Sequence, residues 1–257
     1  MAHALADAWA QAGIARGDVV LLHSSAKRAL LAHRLNRRQL LDTFLDAVGP
    51  EGTLLLPLFN FDFTRGVPFD IRHTPSHMGA LSETGRLHEN AVRTGHPIYS
   101  FAAIGARASE FAHVNNRSGY GADSPFGMLR AMDGKIAVLD LEDQHAMTFY
   151  HHVEEMRGAS WRYFKAFCGP YVHVDGAMTM ETYRLYVRDL GEGVQTHVNP
   201  CAELMWQAGL YRGSRPRVGE GLRTISARAM FDFVADLIDG GHGEGLLYTR
   251  ERQIELA

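Results

Sequence analysis

Cysteine is scarce in this chain: two residues in 257, Cys168 and Cys201, far apart and without a C-x-x-C spacing. That pattern offers neither a disulfide framework nor a cysteine-ligated zinc site, and it suits a reducing cytoplasm. No apolar run approaches the roughly 20 residues that a membrane-spanning helix needs. The N-terminal stretch MAHALADAWAQAGIARGD carries Asp7 and Gln11 among its alanines and reads as an ordinary helix, not a secretory signal. A basic excess is also missing: 26 Lys and Arg against 29 Asp and Glu give a formal net charge of -3. A nucleic-acid partner is therefore not expected, because phosphate neutralisation requires clustered cations. Basic residues do gather at HRLNRRQ (33–39), which reads as a solvated helix edge, with phosphate contact as the alternative. Internal repeats, low-complexity tracts and linkers are lacking as well. With 46% hydrophobic and 21% charged residues, the chain has ordinary globular composition at a length for one larger domain or two small ones, and the lack of a linker favours a single domain over residues 1–257.

The pattern of apolar residues sets the expected fold. After the first helix, Gly13 and Gly17 bracket a turn, and VVLLHSS (19–25) comes next as a buried strand. NRRQLLDTFLDAVG places Leu40, Leu41, Phe44, Leu45 and Val48 at helical spacing and stops at Gly49. GTLLLPLF, bounded by Gly52 and Pro57, reads as a second buried strand, so strand, helix and strand form a parallel crossover unit. KIAVLDL (135–141) predicts a third core strand. RYFKAFCGPYVHVDGAMTMETYRLYVRDL reads as a β-hairpin around the turn signal VDGA. SARAMFDFVADLIDGG returns to helix with Met230, Phe231, Val234 and Leu237 on one face. The fold class is therefore α/β: a mostly parallel central sheet flanked by helices, with an antiparallel hairpin added.

Three common signatures are absent: no G-x-x-x-x-G-K-[ST], no G-x-G-x-x-G after a strand, and no H-E-x-x-H. The fourteen histidines still invite a metal reading, but His73 and His77 flank Pro75 and His145 lies six residues before His151, so no metal is expected. MTFYHHVEE (147–155) is the strongest chemical candidate. On a helix, Thr148, His151 and Glu154 share a face, and a carboxylate beside an imidazole orients the ring as a general base requires. His152 and Glu155 repeat the spacing, so the local pattern leaves both registers open. HSSAKRAL puts Ser24 and Ser25 at the carboxyl end of the first core strand, the usual ligand position in open α/β sheets, unless the serines merely cap the next segment. GHPIYSFAAIG (95–105) carries the same ambiguity around His96 and Ser100.

Taken in order, GDVVLLHSSAKRAL, VGPEGTLLLPLF, HTPSHMGALSE, RTGHPIYSFAAIGARA, DSPFGMLRAMDGKIAVL, TFYHHVEE and RVGEGLRTISARAMFDFV resemble the aminoglycoside 3-N-acetyltransferase family, the acetyl-CoA-dependent antibiotic N-acetyltransferases. The resemblance implies Thr148, His151 and Glu154 as the catalytic set, with His151 as base and Glu154 orienting it. It implies that His23, Ser24, Ser25 and Ala26 line the pantetheine arm, with His96, Ser100 and Phe101 nearby. Acetyl-CoA is then the cosubstrate and a small-molecule amine the acceptor, reached by direct transfer, and a homo-oligomer is compatible with the pattern. The family's acidic run ahead of the motif threonine is replaced here by HAMT (145–148), which removes a carboxylate from the acceptor side. Glu83, Asp143 or Glu142 would have to compensate if the acceptor is a polycation. The hairpin is more similar to relatives acting on other amino compounds, including amino sugars of surface polysaccharides. Two other readings compete: a binding relative that holds CoA or an amine without catalysis, and a metal hydrolase that uses the surplus histidines.

Overall fold

Three parallel strands form the centre of the protein, described by a computed structural model over residues 2–215 and 221–250. Val19–Ser24 pairs with Thr53–Pro57 on one side and with Lys135–Leu139 on the other. Residues 217–220, which open the late RVGEGL motif, and residues 251–257 lie outside the described residues. The expected crossover helix is Arg37–Val48. Asn36 caps it, accepting from the Gln39 N–H while the Gln39 side chain accepts from the Asn36 N–H. This reciprocal box satisfies two of the otherwise unpaired donors at the helix start.

The sheet continues antiparallel on both flanks. Phe101–Gly105 pairs with Thr53–Pro57, and Leu222–Ser226 pairs with Lys135–Leu139. Val92–Arg93 and Arg212–Gly213 close the two edges. Neither flanking strand was legible in the sequence. FAAIG is rich in alanine, a weak strand former, and LRTIS places Arg223 and Thr224 at positions that are 1% and 2% exposed, so neither shows the usual apolar run. The hairpin is present as expected: Arg162–Val172 pairs with Met178–Arg188 from Arg162↔Arg188 to Val172↔Met178. Phe69–Asp70 adds a short parallel strand to it.

Both faces of the central sheet are covered, which explains why its strands read as continuous apolar runs. Val20, Leu22, Leu54 and Leu56 point to one face, where they meet Trp9, Leu40, Leu41 and Phe44. Leu21, Leu55, Ile136 and Val138 point to the other, against Phe59, Phe101, Phe126 and Phe231. Trp9 and Phe44 stack at 4.8 Å, and the Trp9 indole N–H donates to Thr43 Oγ1 at 2.9 Å. Each such aromatic, fully buried, contributes about 1.5–3 kcal/mol of transfer free energy. This frame fixes the carboxyl ends of the parallel strands, where the connecting segments gather. No helix of the described residues is long and apolar enough to cross a membrane.

Candidate active site

The helix Phe149–Arg157 comes after the third parallel strand and one short helical turn, Asp143–Ala146. Its apolar residues Phe149, Tyr150 and Val153 are buried against the core, which fixes the helix's rotation and turns His151 to the opposite side. Thr148 stands at the N-cap and accepts the His151 N–H at its carbonyl, 2.9 Å away. Gly158 ends the helix at φ 61°, a left-handed conformation that glycine adopts without steric cost. The chain reverses there and brings Trp161 and Arg162, at the base of the hairpin, back onto the helix.

The result is a closed electrostatic unit around Glu154. Oε2 of Glu154 lies 2.8 Å from His151 Nδ1 and 2.7 Å from Arg162 Nε, while Oε1 accepts from the Trp161 indole N–H at 2.8 Å. Arg162 also donates through Nη1 to the Tyr186 carbonyl at 2.9 Å and brings Nη2 within 2.8 Å of His151 Nδ1. The Glu154 and Arg162 side chains are 2% and 4% exposed, whereas His151 keeps 20% of its side chain open. Burial opposes ionisation of Glu154, but Arg162, His151 and Trp161 outweigh it and hold the carboxyl down at about 2. Burial and the Arg162 guanidinium lower the basicity of His151, so the ring is neutral near pH 7, and Glu154 only partly offsets this. Nδ1 thus faces both a carboxylate acceptor and a guanidinium donor, and in the tautomer that donates Nδ1–H to Glu154 the ring presents a bare Nε2, the atom a general base uses. Tyr120 packs edge-on against the ring with centroids 5.3 Å apart.

The second register of the motif serves the core. The His152 Nδ1–H donates to the Tyr120 carbonyl at 2.7 Å, the ring is 1% exposed, and burial lowers its pKa to about 4. Glu155 accepts from the Ser118 hydroxyl at 2.7 Å, and burial raises its pKa. The fold thus separates two registers that the sequence pattern left equivalent.

A groove of about 700 Å³ opens at the carboxyl end of Val19–Ser24. Ser24, Ser25, Ala26 and Lys27 form one wall, Met78 to Leu81 face them, and Arg37 stands on the rim. The serines do not cap the next helix, because Lys27–His33 begins at Ala26 without a side-chain cap bond. The basic run also divides. Arg38 pairs with Asp42 and Glu89, while Arg37 borders the groove. Apolar walls with hydroxyls and two cations on one side suit a long ligand that has an apolar arm and an anionic end.

The structure separates the other expected site residues from this surface. His23 is 5% exposed beneath the groove, and burial together with the Arg223 charge lowers its pKa to about 3. A file of rings joins it to His151: His23 to Phe59, Phe59 to Tyr99, Tyr99 to Tyr120 and Tyr120 to His151, with centroids 6.5, 4.5, 4.8 and 5.3 Å apart. His96 is fully buried and accepts the Ile98 and Tyr99 N–H groups at Nδ1, which makes it a turn-holding residue. Ser100 accepts from Arg93, and Phe101 packs on Phe59 and Phe126; both are completely buried. Asp143 has no exposed side-chain surface. It pairs with the buried Arg223 and accepts from Tyr150 and Tyr211 at 3.0 and 2.6 Å. Glu83 pairs with Arg86 and accepts from the Ser76 N–H, and Glu142 accepts from Asn199. Among the described residues no group of three His, Cys, Asp or Glu is arranged to hold a metal ion. Trp161 and Arg162 had no signal in the sequence, since the reversal at Gly158 brings them back to Glu154 through space.

A family model described as aminoglycoside 3-N-acetyltransferase matches residues 21–239. The chain is 30% identical to aminoglycoside N(3)-acetyltransferase IX of Micromonospora chalcea, with 92% of this chain and 91% of that protein covered. It is also 30% identical to aminoglycoside N(3)-acetyltransferase VII of Streptomyces paromomycinus over 64% of this chain and 63% of that one. The crystal structure of aminoglycoside acetyltransferase AAC(3)-Xa superposes with a TM-score of 0.78 at 26% identity, covering 93% of this chain and 92% of that chain. AAC-IIIb in binary complex with CoASH shares the fold, with a TM-score of 0.76 at 22% identity over 94% of this chain and 97% of its own. With the family match spanning both the groove and the His151 helix, the chain belongs to the aminoglycoside 3-N-acetyltransferase family and is an acetyltransferase that takes acetyl-CoA as cosubstrate.

Proposed function

We propose that the protein transfers acetyl from acetyl-CoA to an amino group of an aminoglycoside or amino sugar, with His151 as general base and Glu154 as the group that orients it. The observation that carries this reading is the 2.8 Å contact between His151 Nδ1 and a carboxylate held ionised by Arg162 and Trp161. Amines are mostly protonated near pH 7, so a positioned base that favours the free amine raises the rate by about 10²–10⁴-fold. The thioester supplies the electrophilic acetyl carbonyl. The amine nitrogen forms its new bond there as the carbon–sulfur bond breaks, and His151 accepts the amine proton at Nε2 and can return it to the departing thiolate. Glu154 stabilises the imidazolium formed in between, and the same carboxylate keeps Nδ1 protonated throughout. Thr148, one turn before His151, is the side-chain donor closest along the helix for the carbonyl oxygen as it gains charge. Ser24, Ser25 and Ala26 would line the pantetheine arm, with Lys27 and Arg37 toward the phosphates.

Release of free CoA, followed with a thiol reagent across a panel of aminoglycosides and amino sugars, tests the reading. Release should require an amine and should fall by about 10²–10⁴-fold in His151→Ala with the melting temperature unchanged. Release that persists in this variant would remove His151 from the base role.

A further inference from the structure

The charges around His151 are unlike those of a pocket for polycations. Arg162 and Arg188 face each other across the first rung of the hairpin, so their side chains leave the same face of the ribbon. Arg184 lies on that face as well, four residues before Arg188, with its guanidinium 4.2 Å from the centre of the Phe164 ring. This is the face that meets the catalytic helix. Arg162 reaches His151 and Glu154, and the Tyr186 hydroxyl between the other two arginines donates to the Ala159 carbonyl at 2.8 Å. Arg188 is also near enough for its charge to reduce the basicity of His151.

Apart from the exposed Asp123 near Glu155, the carboxylates around this face are committed to other partners. Glu154 is saturated by Arg162, Trp161 and His151. Glu155, the carboxylate within reach of Arg184, is buried and bonded to Ser118. The acids expected on the acceptor side are spent elsewhere: Asp143 on Arg223, Glu83 on Arg86, and Glu142 on Asn199. Among the described residues, no carboxylate forms an ion pair with Arg188. A ligand carrying several ammonium groups would meet this face with like charge, whereas an anionic ligand would find an unspent guanidinium beside the base.

We propose that the acceptor is an amine whose scaffold also carries an oxyanion, a phosphate or a carboxylate, bound by Arg188 with Arg184 behind it while the amine faces His151. The proposal rests on the acetyl-transfer reading above and names its substrate class. Arg162 is committed to Glu154 and the Tyr186 carbonyl and serves as a positioning residue, which leaves Arg188 to contact the ligand. The exposed part of the same ribbon face, Phe164 and Ala166, offers an apolar strip beside the anion site for the rest of the scaffold.

The test is kcat/KM for CoA release from acetyl-CoA with glucosamine, glucosamine 6-phosphate, muramic acid and kanamycin. The two anionic sugars should exceed glucosamine by about tenfold or more, the effect of one charge-assisted contact, and the advantage should shrink with added salt. Comparison of glucosamine 6-phosphate with muramic acid then separates phosphate from carboxylate recognition. Arg188→Gln should lower the ratio of anionic to neutral acceptor about fivefold or more, and Arg188→Lys should retain most of it. Equal rates for glucosamine and the anionic sugars, or a preference for kanamycin, would overturn the proposal while leaving acetyl transfer intact. CoA release with none of these amines would overturn the acetyl-transfer reading and the proposal with it.

Discussion

Replacing Arg162 by methionine removes the guanidinium that does most to hold Glu154 ionised in the interior. The two side chains are 4% and 2% exposed, with 2.7 Å between Nε and Oε2. Breaking a pair buried to this degree strands a charge, at a cost of about 3–5 kcal/mol. For a chain of this size, that lowers the melting temperature by roughly 6–20 °C. The same change shifts the pH profile of catalysis, and the sign is set by the surroundings of the ring. Burial and Arg162 both lower the His151 pKa, so losing Arg162 raises it. A base works only while unprotonated, and the acid limb of kcat/KM should therefore move to higher pH in Arg162→Met. Arg162→Lys keeps the charge but not the forked geometry and should fall between the two in both measurements. The assays are thermal unfolding and kcat/KM from pH 5 to 9. An Arg162→Met protein with the parental melting temperature and acid limb would refute the assignment of Arg162 as the group that positions the pair and tunes the base.

Three further outcomes are expected of the same structure. Arg223→Met leaves Asp143 buried with only two tyrosine hydroxyls, and urea unfolding should show a loss of about 3–5 kcal/mol, most of it recovered by adding Asp143→Leu. Gly158→Ala meets no atom within 4 Å but must hold φ 61°, so unfolding should register a loss of about 1–2 kcal/mol, with Gly158→Asn milder. His23, His96 and His152 have pKa values lowered by burial to about 3, 3 and 4, so the unfolded chain binds more protons than the folded one below pH 6.5. Their stability contribution is complete above that pH and is lost as pH falls toward 3–4, by up to about 1.4 kcal/mol per pH unit for each ring. A flat urea midpoint between pH 7 and 5 would contradict this.

Much of the frame was readable because its residues act locally. The crossover helix carries its own cap at Asn36 and its own apolar stripe, and the hairpin carries its own turn. The three parallel strands are continuous apolar runs because both of their faces are covered. The flanking strands were not readable. The Arg223 guanidinium lies in the core because Asp143 and the Leu141 carbonyl receive it there, and a strand built around a buried cation has no apolar signature.

At the site, the sequence by itself determined the spacing of Thr148, His151 and Glu154, since residues three apart share a helix face in any context. Through the order of its motifs it also determined the family. Only the tertiary structure decided that His152 is buried while His151 stays partly open, because the rotation of that helix is set by Phe149, Tyr150 and Val153 packing on the core. The same folding buried Ser100, Phe101 and His96, which were expected near the pantetheine arm, and drew Asp143 into an ion pair. It also brought Trp161 and Arg162 onto Glu154, and Arg162 onto His151, from a hairpin that begins beyond the helix end. These are consequences of distance in space, which short-range sequence patterns do not carry: the charge that tunes His151 comes from residues placed by the left-handed turn at Gly158 and the cross-strand register of the hairpin.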